Sequence, residues 1–172
     1  MSEHNIAIYP GSFDPITLGH LNIIKRTSRI FDRLIVCVMV NSEKRGLFTP
    51  EERVDMVRRV TARFSNVEVD FSDKLLSEYA ESKGAHVVVK GLRAMSDFEK
   101  EFQMAHINRR LNPALDTMFL TATEKYTFLS SSVVKELAAY GANLKELVPR
   151  EIIDEIEAKM QQRKEEKHGD RH

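Results

Sequence analysis

The stretch Ile6-Ala7-Ile8-Tyr9-Pro10-Gly11-Ser12-Phe13-Asp14-Pro15-Ile16-Thr17-Leu18-Gly19-His20 decides the fold. Its apolar opening, residues 6–9, reads as a strand, and residues 20–31 read as a helix. Between them lies a turn rich in Gly and Pro. A strand, a tight turn and a helix start together make an anion site. Glycine lets a ligand approach the backbone, and the helix N-terminus presents unpaired N–H groups at the positive end of its dipole. Gly19 stands where a phosphate would come close, with His20 beside it in the first helical turn. The stretch predicts a phosphate site in a nucleotide-handling enzyme.

Strand and helix patterns alternate outward from it. Residues 34–40 are nearly all apolar, the mark of a strand buried on both faces of a parallel sheet. Residues 67–69, 86–90 and 117–120 read as three further strands. Thr49 is placed as an N-cap, with Pro50 at the first helical position and Glu52 closing a capping box; Val54, Val57 and Val60 follow at helical spacing. A helix over 74–83 ends at Gly84. Ser96 and Glu99 read as a second capping box, opening a helix that runs to Leu111 and stops at Asn112-Pro113. Ser130-Ser131-Ser132 caps a helix reaching Tyr140, with Gly141 just past its end. Pro149 opens a last amphipathic helix carrying Ile152, Ile153, Ile156 and Met160, and the charged tail 161–172 is expected to fray. Five strands alternating with helices predict one α/β domain with a five-stranded parallel sheet flanked by helices on both faces.

Composition narrows the function classes. Lys+Arg and Asp+Glu are both 26 among 172 residues, so the basic surplus of a nucleic-acid binder is missing and anion binding must come from local clustering. The N-terminus has no secretory pattern and no apolar run spans a bilayer, so a cytoplasmic protein without membrane attachment is expected. The lone Cys37 lies in an apolar strand and reads as a small hydrophobe. Neither GxxxxGK[ST] nor GxGxxG occurs, and no His/Cys cluster or HExxH spacing offers metal ligands. His4, His86, His106, His168 and His172 have no motif around them.

In parallel sheets, ligands bind beyond the strand C-terminal ends. The residues just after four of the five strands are 11–20, Lys44-Arg45, 90–93 and 126–132, and each set carries phosphate-binding chemistry. Ser12 offers a hydroxyl. Lys44, Lys90 and Arg93 offer cations, Arg93 bidentately, and Ser130–Ser132 offers hydroxyls and amides at a helix start. Taken singly these residues suit a solvated loop or a helix cap; their convergence on one edge makes the case.

These residues also resemble a known family. Gly11-Ser12-Phe13-Asp14-Pro15 with Thr17-Leu18-Gly19-His20 is similar to the (H/T)xGH signature of the nucleotidylyltransferase superfamily. Gly91-Leu92-Arg93 and Phe128-Leu129-Ser130-Ser131-Ser132 resemble its later nucleotide-binding stretches. Together with Lys44 and Asp97-Phe98-Glu99 they resemble the bacterial branch that adenylylates 4′-phosphopantetheine. The resemblance implies a Rossmann-like nucleotidylyltransferase domain over 1–160. It further implies ATP and 4′-phosphopantetheine as substrates, dephospho-coenzyme A and pyrophosphate as products, Mg²⁺ as cofactor, and a homohexamer. By position it implies His20, Lys44 and Arg93 as catalytic. It implies ATP contacts from Ser12, Phe13, His20, Gly91, Leu92, Arg93, Glu101, Tyr126, Thr127, Phe128, Leu129, Ser130, Ser131 and Ser132, and acceptor contacts from Ser12, Lys44, Leu76 and Lys90. Ser12 stands where the family often has Thr, which keeps the hydroxyl. Lys90 stands where Arg is common, which trades bidentate binding for point-charge attraction.

The attacking 4′-phosphate of such a reaction is already anionic, so positioning and electrostatics carry catalysis and no nucleophile–base pair is needed. Two rivals stay open at this point. One is another superfamily member with a different acceptor, such as a nicotinate mononucleotide adenylyltransferase or a cytidylyltransferase. The other is a nucleotide-binding module without turnover.

Overall fold

The computed structural model of the chain describes residues 5–41 and 45–169. Strands β1 (Ile6–Gly11), β2 (Arg33–Met39), β3 (Val67–Ser72), β4 (Val87–Leu92) and β5 (Asp116–Thr121) form one sheet in the order β3-β2-β1-β4-β5. Every neighbouring pair is parallel, as the alternating sequence predicts. The chain winds outward from β1 to β3, then crosses back to lay β4 on the other side of β1. The strand order therefore reverses between β1 and β4, where ligands of open α/β sheets bind.

Side-chain alternation along the strands feeds two cores. Ala7, Tyr9, Leu34, Val36, Val38 and Val89 point to the larger one. It is closed by α1 (Leu18–Thr27), α2 (Pro50–Thr61), α5 (Ser131–Ala139) and α6 (Ile153–Gly169), through Ile24, Val57, Val134 and Ile156 among others. Ile8, Ile35, Cys37 and Val88 point to the smaller core, under Tyr79 and Ala80 of α3 (Leu76–Ser82) and Leu115, which follows α4 (Met95–Leu111). Cys37 is wholly buried there, and burial pushes its thiol up to about 11, the inert state expected of a packing residue. Among the described residues no helix is long and apolar enough to cross a membrane.

Local sequence explains most element boundaries. Thr49 caps α2 with its hydroxyl on the Glu52 amide at 3.2 Å, while Glu52 reaches back to the Thr49 amide at 2.7 Å, the predicted capping box. Three expectations are corrected. The helix expected from residue 20 begins at Leu18, because Thr17 caps it and His20 sits at the third helical position. The helix expected to open on a Ser96–Glu99 box starts earlier, at Met95, with Ala94 at its N-cap and no side-chain cap, and its Asp97 carboxylate bonds the Arg93 amide and guanidinium. The tail expected to fray from residue 161 is helical to Gly169, with residues 170–172 outside the described part. Side-chain bonds one turn apart, Gln161 to Glu165 and Gln162 to Glu166, and a bond from Arg163 to the Gly46 carbonyl extend α6 beyond its apolar stripe.

Candidate active site

At the switch point the C-terminal ends of β1 and β4, the start of α1 and the start of α5 enclose a cleft of about 330 Å³. That volume lies at the small end of the range for small-molecule sites. The Gly11–Thr17 turn forms its floor. Phe13 holds a positive φ of 47°, a left-handed conformation that costs a non-glycine residue roughly 1 kcal/mol, and the Asp14–Pro15 peptide is cis. Phe13 is buried beneath the cleft and packs edge-on to Tyr9 and His20, with ring centroids 5.5 and 5.1 Å away.

His20 is fixed from its Nδ1 side. That nitrogen lies 3.0 Å from the Thr17 backbone nitrogen and 3.1 Å from the Thr17 hydroxyl, and Thr17 Oγ1 accepts from the His20 amide. A backbone N–H can only donate, so Nδ1 accepts and the ring proton resides on Nε2. Burial pushes His20 down to about 4, with the Arg93 charge acting in the same direction. At neutral pH the ring is therefore an uncharged, oriented Nε2–H donor in the wall of the cleft. In the same turn the Leu18 amide bonds the Leu147 carbonyl at 2.9 Å. Gly19 also lines the cleft, and at the second position of α1 its amide has no partner within the helix.

Two cations stand at the end of β4, each held by an acid of α4. Lys90 pairs with Glu101 at 3.2 Å. Arg93 donates from Nε and Nη2 to Asp97 at 3.0 and 3.2 Å, and from Nη1 to the Leu129 carbonyl at 3.2 Å. Three of its five N–H bonds are thus committed, leaving two. Asp97 and Glu101 lie one helical turn apart, so α4 delivers both carboxylates to one face. The arrangement presets the position of each cation and presents charge that an incoming polyanion shares with the helix.

At the far wall, α5 begins on Ser130, whose hydroxyl accepts from the Val133 amide at 3.2 Å. The Ser131 hydroxyl donates to the Pro15 carbonyl at 2.7 Å. Of the three serine hydroxyls expected to face an anion, that of Ser131 has committed its proton to the turn, whereas that of Ser130 only accepts in the cap and keeps its O–H for donation. The first-turn amides, which have no carbonyl partner within a helix, remain the anion-binding feature there.

A strand–turn–helix floor with an oriented His donor, two preset cations and a second helix start is a nucleotidyl-transfer geometry, and comparison with known proteins agrees. The cytidylyltransferase-like family matches residues 8–137. A phosphopantetheine adenylyltransferase of Clostridium botulinum (strain Hall) is 54% identical over 159 residues, covering 92% of this chain and 97% of the relative. The chain belongs to the phosphopantetheine adenylyltransferase family. A member from Caldanaerobacter subterraneus subsp. tengcongensis is likewise 54% identical, over 84% of this chain and 90% of its own. A solved structure of Plasmodium falciparum nicotinic acid mononucleotide adenylyltransferase, complexed with NaAD, superposes with a TM-score of 0.63 over 88% of this chain and 94% of that one. At 17% identity it shares the fold.

Most residues carrying the likeness to phosphopantetheine adenylyltransferases meet at the cleft. Ser12, His20, Lys90, Gly91, Arg93, Glu101, Tyr126, Leu129, Ser130 and Ser131 line it. Phe13 lies behind His20 rather than in the wall, Leu92 ends β4 beside Gly91, and Thr127 and Ser132 flank lining residues without lining the cleft themselves. Phe128 projects into solvent, 89% exposed. Leu76, expected on the acceptor side, opens α3 and packs on the smaller core under the sheet, away from this cleft. Lys44 lies outside the described residues.

Several cleft residues carried no separable sequence signal. Thr17 has one in hindsight, because Thr followed three residues later by a side chain with an acceptor is a capping-box spacing, here completed by His rather than Glu. Asp97 lies one helical turn after Arg93, a spacing compatible with pairing that many surface residues share.

Proposed function

We propose that this enzyme transfers the adenylyl group of ATP to 4′-phosphopantetheine, giving dephospho-coenzyme A and pyrophosphate. The observation that carries the assignment is 54% identity to a curated phosphopantetheine adenylyltransferase across 92% of the chain. The cleft chemistry supports it. An oxygen of the 4′-phosphate attacks the α-phosphorus of ATP in line; one P–O bond forms, the bond to the β-phosphate bridge breaks, and pyrophosphate leaves with its electron pair. The nucleophile is already an anion, so no residue has to remove a proton. Charge grows on the α-phosphate oxygens, where a neutral His20 donating from Nε2 stabilises it as a preset hydrogen-bond donor does in acyl transfer.

In this reading Arg93 and the start of α5 receive the triphosphate, with Ser12, Gly91, Glu101 and residues 126–132 around the nucleotide. Lys44 and Lys90 attract the acceptor phosphate. Among the described residues no group of three or more His, Cys, Asp or Glu lies together to hold a metal ion. Both acidic side chains of the cleft are already paired with cations. The described residues therefore do not supply a ligand set for a resident metal. Mg²⁺ belongs to the substrate on this reading, entering as MgATP with oxygen ligands from phosphates and water.

The family resemblance, which implies a homohexamer, extends the proposal to that assembly, acting in the cytoplasm. In support, Met104, Ile107 and Leu111 on α4 are 41–56% exposed at helical spacing, an apolar stripe suited to burial between subunits. Pyrophosphate release from ATP tests the activity when 4′-phosphopantetheine, nicotinate mononucleotide and an acceptor-free blank are compared. Release with phosphopantetheine alone supports the assignment, whereas release only with nicotinate mononucleotide, or with no acceptor at all, overturns it.

A further inference from the structure

We propose that Asp14 is a positioning residue for adenylyl transfer, its carboxylate fixing the connection between β2 and α2, together with helix α5, against the Gly11–Thr17 turn. Asp14 is 5% exposed and does not line the cleft, so it acts through other groups. Its Oδ2 accepts the Leu47 amide at 2.8 Å and its Oδ1 the Phe48 amide at 2.9 Å. The Lys135 ammonium of α5 reaches Oδ2 at 3.1 Å. Burial alone would raise this carboxyl, but the two amides and the ammonium outweigh it and hold the group below the ordinary Asp value, so it is an anion with three donors.

Those donors come from segments remote in sequence that converge on the catalytic floor. A methyl added at Gly46 would stand 3.0 Å from Asp14 Oδ2 and 3.1 Å from the Phe48 carbonyl, so the connection lies directly on the carboxylate. In the sequence Lys44, assigned above to the acceptor phosphate, precedes Gly46 by two residues. Helix α5 keeps a second tie to the turn, from the Ser131 hydroxyl to the Pro15 carbonyl at 2.7 Å. The ties of Leu47 and Phe48 to the turn run through Asp14. Loss of the carboxylate should therefore disturb the acceptor side of the site more than the nucleotide side.

Asp14→Asn keeps the shape but replaces one oxygen by an NH₂ that must face a donor, so the three bonds cannot all persist. The proposal rests on the phosphopantetheine assignment, so wild-type turnover with that acceptor is the first measurement; an inert wild type removes the assignment itself. With an active wild type, Asp14→Asn should raise the KM for 4′-phosphopantetheine and lower kcat, each about tenfold. The affinity for a non-hydrolysable ATP analogue should stay within threefold. Lys135→Met should shift the same KM in the same direction by about threefold, and Gly46→Ala should do likewise by crowding the carboxylate. Equal loss for both substrates, as general destabilisation gives, or kinetics within twofold of wild type overturns the proposal. If Asp14→Asn does not fold, the other two variants decide by the same criteria, because Lys135 is partly exposed and Gly46 does not hold a left-handed φ.

Discussion

His20 should remain uncharged throughout the physiological range and begin to bind a proton only near pH 4. The reasoning is quantitative. An ordinary histidine titrates at 6.5, whereas burial, followed by the Arg93 charge, brings His20 down to about 4. At 1.36 kcal/mol for each tenfold change, that difference favours the neutral ring by roughly 3 kcal/mol. Its Nδ1 is also occupied as an acceptor by the Thr17 amide, so protonation there would break a 3.0 Å bond. The assay is proton–carbon NMR of the imidazole Cε1 groups from pH 8 to 4, with the His20 signal assigned by its loss in His20→Gln. The His20 shift should stay flat above pH 5. Arg93→Met should raise its midpoint, because one of its two depressing causes is removed. A midpoint near 6.5 in the wild type would refute the neutral-donor picture and make His20 a cation facing the phosphates.

Other outcomes follow from the same geometry. His20→Ala should lower kcat by roughly a hundredfold or more, as loss of one preset oxyanion donor does, with activity within threefold of wild type counting against the role. Stability should fall as the pH drops from about 6.5 to 4, where the unfolded chain binds a proton at His20 that the folded one refuses. His20→Gln should shrink that fall by roughly 1–3 kcal/mol in urea titrations at the two pH values, less than the full shift because the cleft admits water. Arg93→Lys should raise the KM for ATP about tenfold, since one ammonium cannot reproduce the fork that bonds Asp97 and the Leu129 carbonyl at once; steady-state kinetics checks it. Ile107→Glu on α4 should shift the mass seen by light scattering towards smaller species, and an unchanged mass would remove the α4 stripe from the interface.

The parts legible in the sequence are those with local causes. Buried runs such as Leu34–Val38 declare a parallel strand, and Thr49-Pro50-Glu51-Glu52 declares a helix start, because both signals lie within a few residues. The strand–turn–helix at the start of the chain was legible for the same reason. Where sequence reasoning stopped was at long range. Asp14 meets Leu47, Phe48 and Lys135 across separations of 33, 34 and 121 residues, and nothing in the Gly-Ser-Phe-Asp-Pro run reveals those partners. The serine run read as three hydroxyls for an anion, yet the proton of Ser131 goes to the Pro15 carbonyl, a choice set only by the packed geometry. Ser96 and Glu99 had the right spacing for a cap, but α4 starts earlier, with Ala94 at its N-cap. Charge pattern alone undervalued residues 161–169, whose helix is extended by bonds one turn apart and by a tertiary contact to Gly46.

Adenylyl transfer moves the α-phosphate of ATP, with its adenosine, onto the phosphate of phosphopantetheine. ATP labelled at the α-phosphorus tests it most directly, with the products separated after incubation with 4′-phosphopantetheine. The label should appear in dephospho-coenzyme A and be absent from the released pyrophosphate. Label retained in ATP, or released as AMP with the acceptor unchanged, would contradict it.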